Sequence, residues 1–217
     1  MTPITFNYTG SGSGYPYNGN ETSWMVADIN NDTNNSFVYD SIRSPIVVGT
    51  RCYFSADGTN GEELWAYETT NNSAWMVADI NNGTGSSSPR ELLVVGTRIF
   101  FSANDGIHGS ALWAHEMTND STWMVVTTWN TPSPSAAIGT RLFFSAHDGI
   151  HGVELWVHEM TNDTTWMVAD IYNGSSSSYG GSDGIVVGSR YYFNANEGNT
   201  SGSHGDLWVY EMTNETI

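Results

Sequence analysis

The chain has 217 residues, of which 39% are hydrophobic and 13% aromatic, enough to bury one substantial core. Its 23 acidic residues face six arginines and no lysine, a net charge of −17 that argues against nucleic-acid binding and against attraction to anionic membrane surfaces. No apolar run approaches the length of a membrane-spanning helix, and the abundance of Gly, Ser, Thr and Asn in place of charge suits an all-β protein with many turns.

At the N-terminus, Met1-Thr-Pro-Ile-Thr-Phe6 has neither the basic nor the apolar region of a signal peptide, so the sequence reads as cytosolic or as a segment of a longer exported chain. Phe6 and Tyr15-Pro-Tyr17 read as degenerate second and third strands of a repeat, and Trp24-Met-Val-Ala-Asp28 as a fourth. From Gly49 the pattern sharpens. A phrase Gly-Thr-Arg-x-x-Phe-Ser-Ala opens at Gly49, Gly96 and Gly139, and in altered form at Gly188. Leu-Trp follows at Leu64-Trp65, Leu112-Trp113, Leu155-Trp156 and Leu207-Trp208, and Trp-Met-Val at Trp75, Trp123 and Trp166. The copy from Ser135 to Ile171 shows the plan. A short strand ends at Ile138, Arg141–Ala146 is the second, Glu154–Glu159 the third and Thr165–Asp170 the fourth, with turn residues between them.

A unit of roughly 40–50 residues with four short strands predicts a β-propeller blade. The expectation is an all-β, single-domain propeller over residues 1–217, with four-stranded antiparallel blades and units at about 1–48, 49–95, 96–138, 139–187 and 188–217. Five blades are favoured because Phe6 keeps the spacing. Four is the alternative, with Trp24–Asp28 completing the last blade, and an open terminal blade offers an edge for self-association. One copy departs from the rest: Thr127 stands where Asp28, Asp79 and Asp170 stand in the others, and the loop after it is shorter.

Several residues repeat with the unit. Arg51, Arg98, Arg141 and Arg190 share one position; blade-to-blade ion pairs with carboxylates such as Glu68, Glu116, Glu159 or Glu211 explain them better than a ring gripping an anion. The repeated Trp and Met residues read as packing, although Trp can stack on sugars. Cys52, the single cysteine, fills the slot of Ile99, Leu142 and Tyr191 and reads as a small buried hydrophobe. Asn-x-Ser/Thr triplets occur at Asn7, Asn20, Asn31, Asn34, Asn71, Asn82, Asn119, Asn162, Asn173, Asn199 and Asn214; they serve equally as turn formers and as glycan acceptors, and as acceptors they favour an exported chain.

The loops between second and third strands carry the candidate ligand-binding residues: Asp57, Asn104, Asp105, His108, His147, Asp148, His151, Asn196, Glu197 and His204. Asp, Asn and His beside glycines can hydrogen-bond sugar hydroxyls, and such oxygen-rich loops can also hold Ca²⁺, but the same residues build turns with no ligand. The spacing does not match a calcium loop and the His residues lie on different units, so no cofactor or metal is expected beyond a weakly supported Ca²⁺. No nucleophile elbow, Cys–His pair or phosphate-binding loop is present, and near-identical copies do not build one asymmetric catalytic centre, so no enzyme is expected.

The runs Leu155-Trp-Val-His-Glu-Met-Thr-Asn-Asp-Thr-Thr-Trp166 and Gly139-Thr-Arg-Leu-Phe-Phe144 resemble a kelch blade, without the kelch double glycine. More closely, the phrases Phe-Ser-Ala-x-Asp-Gly and Val-Ala-Asp-Ile-Asn are similar to the ELWxxDGT-type repeats of exported bacterial and archaeal proteins, over residues 20–217. The resemblance implies a propeller at the cell surface or outside the cell. The expected function is a lectin-like, carbohydrate-binding module using several equivalent loops, with a structural or protein-interaction domain as the alternative and a glycan or a surface protein as partner, without membrane insertion.

Overall fold

The computed structural model describes residues 45–198 and 205–212, together with Ile29. Four antiparallel sheets follow one another along the chain. The first contains β1 (Ile46–Val48), β2 (Arg51–Gly58), β3 (Gly61–Glu68) and β4 (Ser73–Ala78). The second contains β5 (Arg90–Val95), β6 (Arg98–Asn104), β7 (Ser110–Glu116) and β8 (Ser121–Thr127). The third contains β9 (Ser133–Ile138), β10 (Arg141–Ala146), β11 (Glu154–Glu159) and β12 (Thr164–Ala169). The fourth has three described strands, β13 (Gly184–Val187), β14 (Arg190–Ala195) and β15 (Asp206–Glu211). Strands are ordered sequentially in every sheet, and no helix occurs among the described residues. The strands predicted for the Ser135–Ile171 copy match β9–β12 to within one or two residues. The repeated Gly49, Gly96, Gly139 and Gly188 fall in the turn between first and second strands, at φ +58° to +63°, a left-handed conformation in which glycine is favoured. Phe6, Tyr15–Tyr17 and Trp24–Asp28 lie outside the described residues.

First strands of successive sheets lie against one another, β1 to β5, β5 to β9 and β9 to β13, so the sheets fan out from a common axis. The core sits between sheets. Strand alternation sends Tyr53, Leu64 and Ala66 of the first sheet against Ile99, Phe101 and Ala103 of the second. Phe100, Leu112 and Ala114 leave the opposite face of that second sheet toward Leu142, Phe144 and Ala146. Phe143, Leu155 and Val157 then meet Tyr191, Phe193 and Ala195. The double aromatic in the second strand therefore serves two interfaces, one ring on each. Cys52 is half-buried with a free thiol, less enclosed than its counterparts Ile99, Leu142 and Tyr191.

The arginines are paired with the expected carboxylates, but mostly within a sheet. Register sets Arg51 opposite Glu68, Arg98 opposite Glu116, Arg141 opposite Glu159 and Arg190 opposite Glu211, at 3.5, 3.3, 3.4 and 3.0 Å. The blade-to-blade pairing is thus corrected: the cross-strand neighbour is the nearer partner. Arg51, reaching Asp120 at 3.7 Å, and Arg141, donating to the Tyr210 hydroxyl at 3.0 Å, also reach the next sheet. Three guanidinium groups lie over Trp75, Trp123 and Trp166, 5.5–5.6 Å from the ring centroids.

In the first and third sheets a buried glutamate ties the sheet to the connection that leaves it. Glu63 accepts the Ile80, Asn81 and Ser87 amides and the Ser87 hydroxyl, the last at 2.5 Å. Glu154 accepts the Ile171 and Ser178 amides and the Ser178 hydroxyl. Burial pushes both carboxyls up, and these hydrogen bonds pull them only partly back. In the second sheet the equivalent position is Ala111. That is the copy in which Thr127 replaces the Asp and the connection is short, so clasp and long connection are lost together.

Glu63→Ala should cost about 3 kcal/mol of stability, because three amides and a hydroxyl lose a buried acceptor; urea unfolding measures it, and a loss below about 1 kcal/mol would mean that water replaces the carboxylate. A second expectation concerns His115 and His158. Burial holds both below the ordinary value of 6.5, so the unfolded chain binds the proton more readily. Their contribution to stability is present above pH 6.5 and is lost as pH falls below it. His158→Gln should flatten that acid limb in thermal melts recorded from pH 7.5 to 5.

Candidate functional site

The predicted ligand-binding residues fall at the end of each sheet where second and third strands are joined. Asp57 is an exception to the loop assignment: it lies within β2, opposite Glu62, because the first hairpin runs on to a tight turn at Thr59-Asn60. His204 lies outside the described residues. Asn104 ends β6, and most of the others sit in local turns held by hydrogen bonds of their own. Asp105 accepts the Ile107 and His108 amides through Oδ1, and its Oδ2 lies 2.6 Å from the His108 ring. Asp148 does the same with Ile150, His151 and the His151 ring at 2.8 Å. Gly106, Gly149 and Gly198 amides donate to Asn104, His147 and Asn196 side chains. Partial burial raises the Asp105 and Asp148 carboxyls, but the histidine and amide hydrogen bonds outweigh it and hold both at about 2. Both loops keep their ionised aspartate down to that pH, and the stabilisation is lost as pH falls from 3.8 toward it.

Each loop is also fastened to the sheet before it. The Trp129 amide donates to the His147 carbonyl and the His147 amide to Asn130 Oδ1, while the Asn104 and Asn196 amides donate to Ser87 and Ser178 carbonyls. Asn81, Trp129 and Tyr172, each in the connection leaving a sheet, lie on Gly106, Gly149 and Gly198 of the next one. A Cβ at Gly149 would come within 2.6 Å of the Trp129 indole nitrogen, and its φ is +91°. The Asp-Gly phrase is therefore explained by turn formation and by close approach between sheets. Among the described residues no group of three or more His, Cys, Asp and Glu is placed to hold a metal ion.

This face also carries what the sequence reading passed over. Trp129 is 80% exposed, and Ile107 and Ile150 at the loop tips are 83% and 72% exposed. These three exposed apolar side chains lie in or against the loops after β6 and β10. The available signal was position: unlike the Trp residues of the repeated strands, Trp129 follows Thr127-Thr128 in the copy that departs from the pattern. A polar hollow of about 360 Å³ lies nearby in the fold, between Ser86–Ser88, Arg90, Ser102–Asn104, Ser110 and Thr131.

Successive, sequentially ordered antiparallel sheets fanned around an axis define a β-propeller. The chain is similar to TolB from Acinetobacter baumannii, with a TM-score of 0.50 and 10% identity over 75% of this chain and 38% of that one. It is also similar to the β-propeller domain of the Trilobed protease from Pyrococcus furiosus, which has an open velcro topology, with a TM-score of 0.52 and 11% identity over 77% of this chain and 53% of that one. The chain thus spans about two fifths to a half of the length of these proteins. No family model matches the chain, and no curated protein matches it. The protein is a β-propeller of four-stranded antiparallel blades.

Gly149→Ala should destabilise the fold by about 1–2 kcal/mol, from the left-handed backbone and the displaced indole together. Tryptophan emission should shift as the indole moves; a variant with unchanged melting and emission would mean that Trp129 is free to leave the glycine.

Proposed function

We propose that this propeller is a non-enzymatic binding module of an exported protein, at the cell surface or outside the cell, that recognises glycans on the face bearing the loops after β6 and β10. The observation that carries the reading is Trp129, an open indole plane backed by Gly149 and flanked by polar loop groups. Sugars bind to such planes through their apolar faces, while hydroxyls are met by side chains around the ring. The acidic surface, the exposed Asn71, Asn119 and Asn162 triplets at hairpin tips, and the likeness to ELWxxDGT-type repeats fit an exported location. No cofactor is required, and calcium is not part of the site.

The test is a broad glycan array probed with the wild-type chain and Trp129→Ala. Binding to a defined set of glycans should fall at least tenfold in the variant, with its melting unchanged, and EDTA should leave wild-type binding intact. Absence of binding by folded wild-type protein across the panel would remove the glycan reading. It would leave a protein-interaction domain, which Ile107 and Ile150 favour as apolar contacts on the same face.

A further inference from the structure

We infer that the hollow around Arg90 is a subsite for a carboxylate-bearing sugar, of the uronic acid class; the identity of the ligand as a sugar rests on the glycan reading above. The hollow is bounded by the connection leaving the first sheet, by β5, β6 and β7 of the second, and by the approach to β9. Most of its polar groups are already used. Ser86 Oγ accepts the Glu62 amide, the Ser87 and Ser88 hydroxyls donate to Glu63 and Glu62, and the Ser102 hydroxyl donates to the Arg90 carbonyl. Asn104 Oδ1 accepts the Gly106 amide, which leaves its Nδ2 as a donor.

Among the residues that line the hollow, four side-chain groups have no partner among the described residues: the Arg90 guanidinium, Asn104 Nδ2 and the Ser110 and Thr131 hydroxyls. All four can donate, and one carries a full positive charge. Arg51, Arg98, Arg141 and Arg190 each have a carboxylate within 3.5 Å, so an unpaired, half-buried Arg90 in a chain of net charge −17 is an exception to the protein's own pattern. The backbone there is exceptional as well. The β5–β6 register slips between Arg90 and Leu93, and Glu91 has a φ of +55°. Bulges of this kind re-aim a side chain, and strain of this kind gathers at functional positions. The matching place in the third sheet, set by the pairing of Ser133 with Ser145 as Arg90 pairs with Ser102, holds a serine.

A guanidinium fork fits a planar carboxylate, and the neutral donors around it fit sugar hydroxyls. The surrounding negative field opposes a doubly charged phosphate. The hollow lies at the lower end of the size range of small-ligand sites, which suits one sugar residue.

The experiment is titration calorimetry with glucuronate, glucose and inorganic sulfate as probes, on the wild-type chain, Arg90→Gln, Arg90→Lys and Trp129→Ala. Glucuronate should bind at least tenfold more tightly than glucose, and added salt should weaken it. Arg90→Gln should bring glucuronate down to the level of glucose without changing the melting temperature, and Arg90→Lys should restore part of the difference. Trp129→Ala should preserve the ratio of the two sugars, because Trp129 is not among the residues that line the hollow. Equal binding of the two sugars, a preference that survives Arg90→Gln, or sulfate binding as well as glucuronate would each overturn the uronate subsite. Trp129-dependent glycan binding without acid preference would sink this subsite alone, whereas loss of all sugar binding would sink the glycan reading with it.

Discussion

Each sheet of this protein is apolar on both faces, and that constraint governs the rest of the structure. In β6, Ile99, Phe101 and Ala103 leave on one side and Phe100 on the other; β10 repeats the arrangement with Leu142 and Phe144 against Phe143. A sheet with two faces to bury cannot stop at one neighbour. The fan of sheets follows directly, with cores of four or five large buried side chains at each interface. Fully burying one such ring is worth about 2–3 kcal/mol, more than a partly exposed ion pair contributes. Where that neighbouring is incomplete among the described residues, the same positions are open: Leu207 and Val209 of β15 are exposed, while Leu64, Leu112, Leu155 and Val157 are buried.

The arginine stacks hold register more than they supply stability. Each guanidinium sits between a glutamate on the next strand and, in three sheets, a tryptophan on the strand after that, so it senses the alignment of three strands at once. The pairs are partly exposed, and such pairs contribute about 0–1 kcal/mol. A one-residue slip would turn the apolar residues of a strand to the wrong interface, and the stack would break at the same time. The glutamate continues the chain of constraints: Glu68, Glu116 and Glu159 also accept the amide and hydroxyl of Thr70, Thr118 and Thr161, which open the hairpin turn. The following Asn71, Asn119 and Asn162 accept from Ser73, Ser121 and Thr164 in the same way. One repeated phrase therefore specifies strand, register and turn together.

That redundancy is why the fold was legible in the sequence while the site was not. Strand positions follow from aromatic alternation and from glycines with one permitted conformation, both of which leave a mark in every copy. Asp105, His108, Asp148 and His151 were visible as a pattern, but a turn that satisfies itself and a loop that awaits a ligand draw on the same residue types. Only geometry separates them, by showing both aspartate oxygens in use. Trp129 and Arg90 carry no repeated signal in the sequence, and both are set by position in three dimensions: one lies across the glycine of the next sheet, the other at a slipped register. The joint absence of the Glu63-type clasp and of the Asp79-type aspartate in the second sheet was half visible, as Thr127, and its partner Ala111 emerged only when β7 and β8 were aligned.

The polar accounting of the loop face then separates scaffold from function. Across these loops nearly every donor and acceptor finds a partner within the chain, as folding requires of groups that leave water. What remains open there includes an indole, two isoleucines, one guanidinium and a few neutral donors; among the described residues the buried Asp79 Oδ1 and Asp170 Oδ1 also lack a hydrogen-bond partner. Ile107 and Ile150 hold one position of the repeated loop, whereas Trp129 stands outside the repeat and Arg90 breaks the rule obeyed by the arginines of the stacks. A propeller built from near-identical units acquires a distinct binding face where one unit stops matching the others, and here the second sheet and its connections supply that departure: they carry Arg90, Ala111, Thr127 and Trp129.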